Sequence, residues 1–309
     1  MSAPHLIHDI AGMHIFERGW LSANNILFTS GDKTLLVDSG YHTHSAQTVQ
    51  LVESVLGHRP LDFLVNTHLH SDHCGGNSAL QSRYPEMETL IPPGHAAYVT
   101  DWNPVGLIYA TTGQHCPKFS FNEKFQPGTP IRFGTTMWEV HAAAGHDPHA
   151  VVFFEPVKKI LISADALWEN GFGVVFPELE GEGAFGEVAS SLDLIERLNP
   201  TVVVPGHGRV FAYSPAILAI ARQRLNAFEK NPRSHARHAA KVLIKFKLLE
   251  VHKQLFDDFL LWALATPYLI QISNKFFGDI SISAWIGQLC LELDKAGVVK
   301  REGAYILNN

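Results

Sequence analysis

The chain has 309 residues, 46 % of them hydrophobic and 17 % charged, and a formal net charge of −6. That is the composition of an ordinary globular protein with room for one large core and a smaller second unit, and it excludes a disordered chain. No apolar run approaches the length needed to span a bilayer. Residues 1–8 carry neither a basic start nor a long apolar segment, so no secretory signal is expected. Three scattered cysteines, Cys74, Cys116 and Cys290, form no paired framework. This fits a reducing compartment, and a cytoplasmic protein that engages no membrane is the expectation.

Along the chain, the first part reads as strand-rich. Residues 5–10, 24–29 and 34–37 are apolar runs of strand length, and Ser45–Leu56 sets Ala46, Val49, Val52 and Val55 near helical spacing. A buried strand is expected over 61–65. Further strands are expected at 137–140, 160–162 and 201–204, and a helix at 190–198. The alternation of strand and helix starts again after about residue 130, with no repeat of residue identity. Past Tyr213 the texture changes. Residues 216–228 and 236–265 carry long helical patterns, interrupted by Asn231-Pro232-Arg233 and closed by Pro267. Residues 280–296 read as a helix and 297–307 as a β-hairpin, together similar to a winged helix. A domain at 1–213 and a helical, winged-helix-like domain at 214–309 are therefore expected. Charge divides in the same place, with 11 basic against 22 acidic residues before the boundary and 13 against 8 after it. Such a split suits separate tasks or an electrostatic domain contact.

The chemistry is concentrated in Thr67-His68-Leu69-His70-Ser71-Asp72-His73-Cys74-Gly75-Gly76. Imidazole nitrogen suits zinc and other borderline divalent ions, and a carboxylate adds a harder ligand. A strand sends alternate side chains to one face, so His68 and His70 can point together. A turn into a helix near Ser71 would let Asp72 and His73 reach a neighbouring ion. Gly75-Gly76 would let the backbone pass close to the metals. A merely solvated histidine-rich loop would not need the apolar strand that precedes it. Cys74 has no base of its own and reads as a small buried residue.

Three further motifs each follow an apolar stretch: Gly145-His146-Asp147-Pro148-His149, Ser163-Ala164-Asp165-Ala166 and Val204-Pro205-Gly206-His207-Gly208. With the H-x-H-x-D-H cluster and Lys33-Thr34-Leu35-Leu36-Val37-Asp38-Ser39-Gly40, they resemble the metallo-β-lactamase-fold hydrolases over residues 5–212. The resemblance implies an α/β fold, a four-layer αββα sandwich, here followed by the C-terminal helical domain. It implies that His68, His70 and His146 hold one metal, that Asp72, His73 and His207 hold a second, and that Asp165 bridges them. Asp72 and Asp165 are then the catalytic carboxylates, and Asp38 braces the metal loop. The cofactors implied are two divalent ions, zinc first, with iron or manganese as alternatives.

Two positions narrow the family. Residue 70 is His, where the oxygen-reducing di-iron branch usually has an acidic residue. Residue 165 is Asp, where many true β-lactamases carry Cys or lack the bridging carboxylate. The resemblance then leaves the hydrolase core shared by thioesterases of the glyoxalase II type, lactonases, and phosphodiesterases or nucleases, while mononuclear iron persulfide dioxygenases use the same ligand types. The expected activity is hydrolysis of a small acyl substrate, a thioester or a lactone, through a metal-bound hydroxide formed near neutral pH. The alternative is a phosphodiesterase or ribonuclease whose basic C-terminal domain grips nucleic acid, and the acidic first domain argues against it. That C-terminal domain could instead make a homodimer contact. Residues 92–128, with Trp102, Tyr109, His115 and Cys116, and residues 167–176 are expected to shape the pocket. His115 and His149 are further candidates for hydrogen bonds to a small-molecule substrate or to ligands.

Overall fold

Short apolar segments of the N-terminal part pair into a six-stranded sheet in the order β1 (Met13–Phe16), β2 (Asn25–Phe28), β3 (Leu35–Val37), β4 (Phe63–Val65), β5 (Glu88–Ile91) and β6 (Glu123–Lys124). The first three strands are antiparallel, and β3 to β6 run parallel. A second six-stranded sheet follows, made of β7 (Ile131–Phe133), β8 (Thr136–Ala142), β9 (Val151–Glu155), β10 (Ile160–Ala164), β11 (Val202–Pro205) and β12 (Phe211–Ala212). Its pairs are antiparallel except β10 with β11. The computed structural model describes residues 12–309, so the strand expected over 5–10 lies outside the described residues.

Strand alternation explains how the sheets are covered. One set of faces contributes Ile26, Phe28, Val37 and Val65 from the first sheet and Trp138, Phe153, Ile162 and Val204 from the second to a single shared core. Phe133 and Phe153 are fully buried in it, and each contributes about 1.5–3 kcal/mol of transfer free energy. The opposite face of the first sheet presents Leu27, Leu36 and Leu64 to Val52 and Leu56 of the helix Ser45–Leu56 and to Leu80 of the helix Asn77–Arg83. The helix Phe185–Leu198 buries Val188, Leu192 and Ile195, and its Ser191 hydroxyl donates to Ala144 O (2.7 Å). Helices thus flank two packed sheets, which is the αββα arrangement.

Ser45–Leu56 is helical over the expected span and stops at Gly57, whose φ of 60° lies in the glycine-favoured half of backbone space. The helix expected at 190–198 begins five residues earlier, at Phe185. There Glu178 Oε2 accepts the Phe185 N–H (3.0 Å) and satisfies a first-turn donor that has no partner inside the helix.

By contacts the chain divides into Met1–Leu107 with Cys116–Ala227, and Ile108–His115 with Phe228–Asn309. The helix Pro215–Lys230 starts in the first unit and ends in the second, so its length separates residue 213 from the observed change of unit. The second unit holds the helices Pro232–Val251, Phe256–Ala265, Pro267–Phe276 and Ile282–Lys295. It also holds a sheet in the order β13 (Lys253–Leu255), β15 (Tyr305–Asn308), β14 (Val299–Glu302). Asn231 and Ser281 cap the first and last of these helices through Ser234 N and Ala284 N. The helical pattern expected to run through 236–265 is broken. His252 takes a left-handed φ of 59°, and Lys253–Leu255 pairs with Tyr305–Leu307 instead of continuing the helix. Ile108–His115 joins this unit, with Trp262 Nε1 donating to Gly113 O (3.4 Å). Several basic side chains of this sheet are engaged locally: Arg301 lies over the Phe256 ring (3.6 Å), Lys253 over Tyr305 (4.5 Å), and Lys300 pairs with Glu302. No helix among the described residues is long and apolar enough to cross a membrane.

Candidate metal centre

Every residue singled out as a ligand lies in a segment that follows a strand. His68 and His70 follow β4, His146 follows β8, Asp165 follows β10 and His207 follows β11, while Asp72 and His73 start the short helix Ser71–Cys74. The two first-motif histidines are not on the strand itself. They sit in the extended segment beyond it, and they converge through different nitrogens: His68 Nε2 meets His70 Nδ1 at 3.1 Å, and His70 Nδ1 meets His146 Nε2 at 2.7 Å. Three ligand groups arise, each with its donor atoms within 4.8 Å of one another: His68, His70 and His146; Asp72, His73 and His207; and His68, His73 and Asp165. Asp165 lies between the first two. Its Oδ2 is 3.2 Å from His146 Nε2 and 3.9 Å from His207 Nε2, and its Oδ1 is 3.4 Å from His73 Nε2.

The backbone bends hard to bring the carboxylates in. Asp38 and Ala164 are non-glycine residues at positive φ (57° and 45°), and the β10–β11 register shifts between Ile162 and Ala164. Such conformations persist only where the surroundings over-determine them. Asp38 is held in this way. Its carboxylate accepts the Thr67 N–H, the Thr67 hydroxyl and His73 Nδ1, all at 2.8 Å. Gly75 and Gly76 serve a different neighbour from the one expected. A Cβ at either would strike the backbone of residues 39–42, so these glycines let the helix Ser71–Cys74 lie against the Asp38 loop, with ordinary negative φ. Gly206 and Gly173 are glycines that face the centre, because a Cβ would overlap Asp165 Oδ1 at the first and the His146 ring at the second. Gly206→Ala is therefore expected to displace that carboxylate and reduce bound metal per chain, measured by elemental analysis after dialysis, with the fold intact by circular dichroism.

Proton bookkeeping tests whether the residues fit metal ions. Val174 O can only accept, so His146 Nδ1 donates to it (2.6 Å) and Nε2 presents a lone pair. The Thr67 hydroxyl gives its proton to Asp38, so His68 Nδ1 donates to Thr67 Oγ1 (3.1 Å) and its Nε2 is also a lone pair. His73 donates through Nδ1 to Asp38, and its buried Nε2 has no hydrogen-bond partner among the described residues. Lone pairs thus converge at distances where only a cation or extra protons can sit between them. Burial and then its histidine neighbours push the His68 pKa well below its usual value, and burial and His146 bring His70 down to about 4. Burial opposes charge on His73, yet Asp165 and Asp38 hold its pKa well above the ordinary value. Burial likewise opposes charge on Asp165, but His73, His207 and His146 keep it well below. His68 and His70 are thus neutral beside an ionised Asp165, and the carboxylates draw positive charge onto His73 where a cation would supply it. Imidazoles with carboxylates are the donor set of a borderline divalent cation.

Three contributors were not signalled as such by the sequence. Trp168 Nε1 donates to Asp165 Oδ1 (3.2 Å), and its ring meets His207 edge-on (5.5 Å). Trp20, 56 % exposed, stacks on His207 (5.6 Å) and meets Trp168 at 5.3 Å. Asp147 lies 3.7 Å from His70 Nε2. Asp147 stands inside a ligand motif and Trp168 in the 167–176 segment expected to shape the pocket, which are the only local signals they carry, and Trp20 has none. Of the residues expected to line a pocket, Trp102 packs on Phe119 (5.6 Å), and Cys116 lies 3.9 Å from Cys74, with no disulfide between them. Tyr109 and His115 fall in the segment grouped with the second unit. The His149 ring packs on His95 (4.6 Å).

Two sheets that bring two candidate ligand sets, one of three histidines and one of two histidines with an aspartate, past their strand ends define an αββα protein with a candidate divalent-metal centre. The metallo-beta-lactamase superfamily profile matches residues 18–207, more than half of the chain, and the chain belongs to that superfamily. It is 25 % identical over 135 residues to a hydroxyacylglutathione hydrolase of Thermosynechococcus vestitus, covering 44 % of each chain. It is 29 % identical over 172 residues to the mitochondrial persulfide dioxygenase ETHE1 of Bos taurus, covering 54 % of this chain and 58 % of that one. The chain thus spans about half the length of these curated relatives. A metallo-beta-lactamase family protein of Thermus thermophilus shares the fold with a TM-score of 0.56 and 16 % identity, over 97 % of this chain and 99 % of that one.

Proposed function

We propose that the protein is a dinuclear, zinc-dependent hydrolase of a small acyl substrate, a thioester or a lactone. The observation that carries this reading is the place of Asp165, whose two oxygens face His146 and His207 on one side and His73 on the other. Divalent ions held there would lower the pKa of a water to near neutrality and polarise a substrate carbonyl. The chain's own residues do the rest. Asp165 keeps the two ligand sets at a fixed separation, and the Trp168 N–H keeps that carboxylate in place. Asp72, whose side chain is 14 % exposed, is the most accessible of the ligand carboxylates and is suited to orient the attacking water. Trp20 and Trp168 present aromatic surface beside His207, and Arg209 and Glu169 on the same loops pair with each other (3.2 Å). An aromatic rim with its charges paired favours an apolar acyl group over a phosphodiester. A hydroxyacylglutathione hydrolase among the relatives supports the same choice, and three buried cysteines without a disulfide support a reducing, cytoplasmic setting.

The test is turnover by the zinc-loaded protein of a simple aryl thioester against a simple aryl phosphodiester, each repeated with Asp165→Ala. A preference for the thioester that disappears in the variant is expected. The reverse preference would replace this reading with phosphodiester hydrolysis and make RNA, held by the C-terminal unit, the next substrate to examine.

A further inference from the structure

We infer that Asp147 is the positioning residue for His70 and sets the affinity of one of the two cation sites. The inference rests on the reading of His68, His70 and His146 as ligands of one ion. His68 and His146 turn Nε2 inward and have Nδ1 anchored, by Thr67 Oγ1 and Val174 O. His70 is reversed: its Nδ1 faces the other two, and its Nε2 points away. To offer a lone pair from Nδ1, His70 must carry its proton on Nε2, the opposite tautomer from its two partners. The group that faces Nε2 is Asp147 Oδ2, at 3.7 Å. Outer carboxylates of this kind fix the tautomer and ring orientation of a ligating histidine.

The carboxylate is built into place for this task. Its side chain is 3 % exposed, so solvent screens it little. Oδ1 is tied by the His149 N–H (2.7 Å), which leaves Oδ2 turned toward His70 and toward His95 Nδ1 (3.8 Å). Asp147 belongs to none of the three ligand groups. A buried anion that binds no ion itself, and whose second oxygen faces the outer nitrogen of a ligand, has the orientation of that ring as its natural function.

The experiment measures zinc affinity, not turnover, so it stands apart from the choice of substrate. Two-site zinc dissociation constants are obtained by competition with a chromophoric chelator for the wild type, Asp147→Asn and Asp147→Ala. Asn is nearly isosteric, can keep the His149 contact, and reports even where Ala fails to fold. One site is expected to weaken by about 10- to 100-fold in both variants, with the other site unchanged. An Asn that keeps its Oδ1 on the His149 N–H turns an NH2 donor toward His70 Nε2 and favours the wrong tautomer. In the zinc-loaded wild type, imidazole nitrogen NMR should place the His70 proton on Nε2. Unchanged affinities in Asp147→Asn together with a His70 protonated elsewhere would overturn the inference. So would equal weakening of both sites alongside a loss of apoprotein stability. A wild type that takes up no zinc would instead overturn the two-ion centre on which the inference rests.

Discussion

Asp165→Ala is expected to lower turnover by at least about a thousandfold, the several kcal/mol that a Lewis-acid centre supplies to a hydrolytic transition state. It is also expected to leave fewer than two ions per chain. The size follows from what surrounds the carboxylate. Three imidazoles from three separate motifs, His73, His146 and His207, lie within 3.9 Å of its oxygens. Removing it takes away the one anion that, among the described residues, all three share, and leaves imidazoles to compete with water for each ion. The protein should still fold, because among the described residues the hydrogen bond that Asp165 accepts from a side chain outside the ligand set is that of Trp168 Nε1, which can turn to solvent. Elemental analysis and turnover are read on the same sample. Full activity with two ions retained would remove Asp165 from the centre.

Asp38→Ala should act on the fold first and on the metal second. Asp38 is buried, sits at φ 57°, and accepts three hydrogen bonds at 2.8 Å from Thr67 and His73. Alanine tolerates that left-handed backbone less well than aspartate. The Thr67 N–H and His73 Nδ1–H would also be left buried and unpaired. Breaking such a buried pair costs about 3–5 kcal/mol, a large fraction of a domain's stability. Urea unfolding of the apoprotein checks the figure. Asp38→Asn, which keeps an acceptor and the left-handed preference, should lose clearly less. A loss below about 1 kcal/mol in Asp38→Ala would show that the carboxylate does not brace the loop.

How much of this was legible in the sequence depended on whether the signal was local. Ser45–Leu56 carries a helical period and a closing glycine side by side, and it is helical over that span. The ligand motifs were visible because each follows an apolar strand that delivers it. What local pattern could not carry was pairing at long range. Lys253–Leu255 leaves a convincing helical run only because Tyr305–Leu307, some fifty residues later, offers it a partner strand. The glycines after His73 were assigned to the metals, when their neighbour is the Ser39–His42 backbone, which nothing in the adjacent sequence reveals. Asp147 was part of a motif already in view, yet its relation to the centre depends on which nitrogen of His70 turns outward. Trp20 is separated from His207 by nearly two hundred residues, and only the folded chain stacks them.

The two ligand sets have a shared asymmetry. Each draws two side chains from the first sheet's segment and one from the second: His68 and His70 with His146, and Asp72 and His73 with His207. Either ion would therefore act as a rivet between the sheets. The sheets otherwise meet through their apolar core and through contacts such as the Asn24 amide donating to Pro205 O (2.9 Å) and Gly208 O (2.7 Å). Binding free energy at the centre is then added to sheet–sheet cohesion. Stripping the ions should loosen the whole sandwich along its midplane, so that a chelator becomes, in effect, a denaturant aimed at one seam.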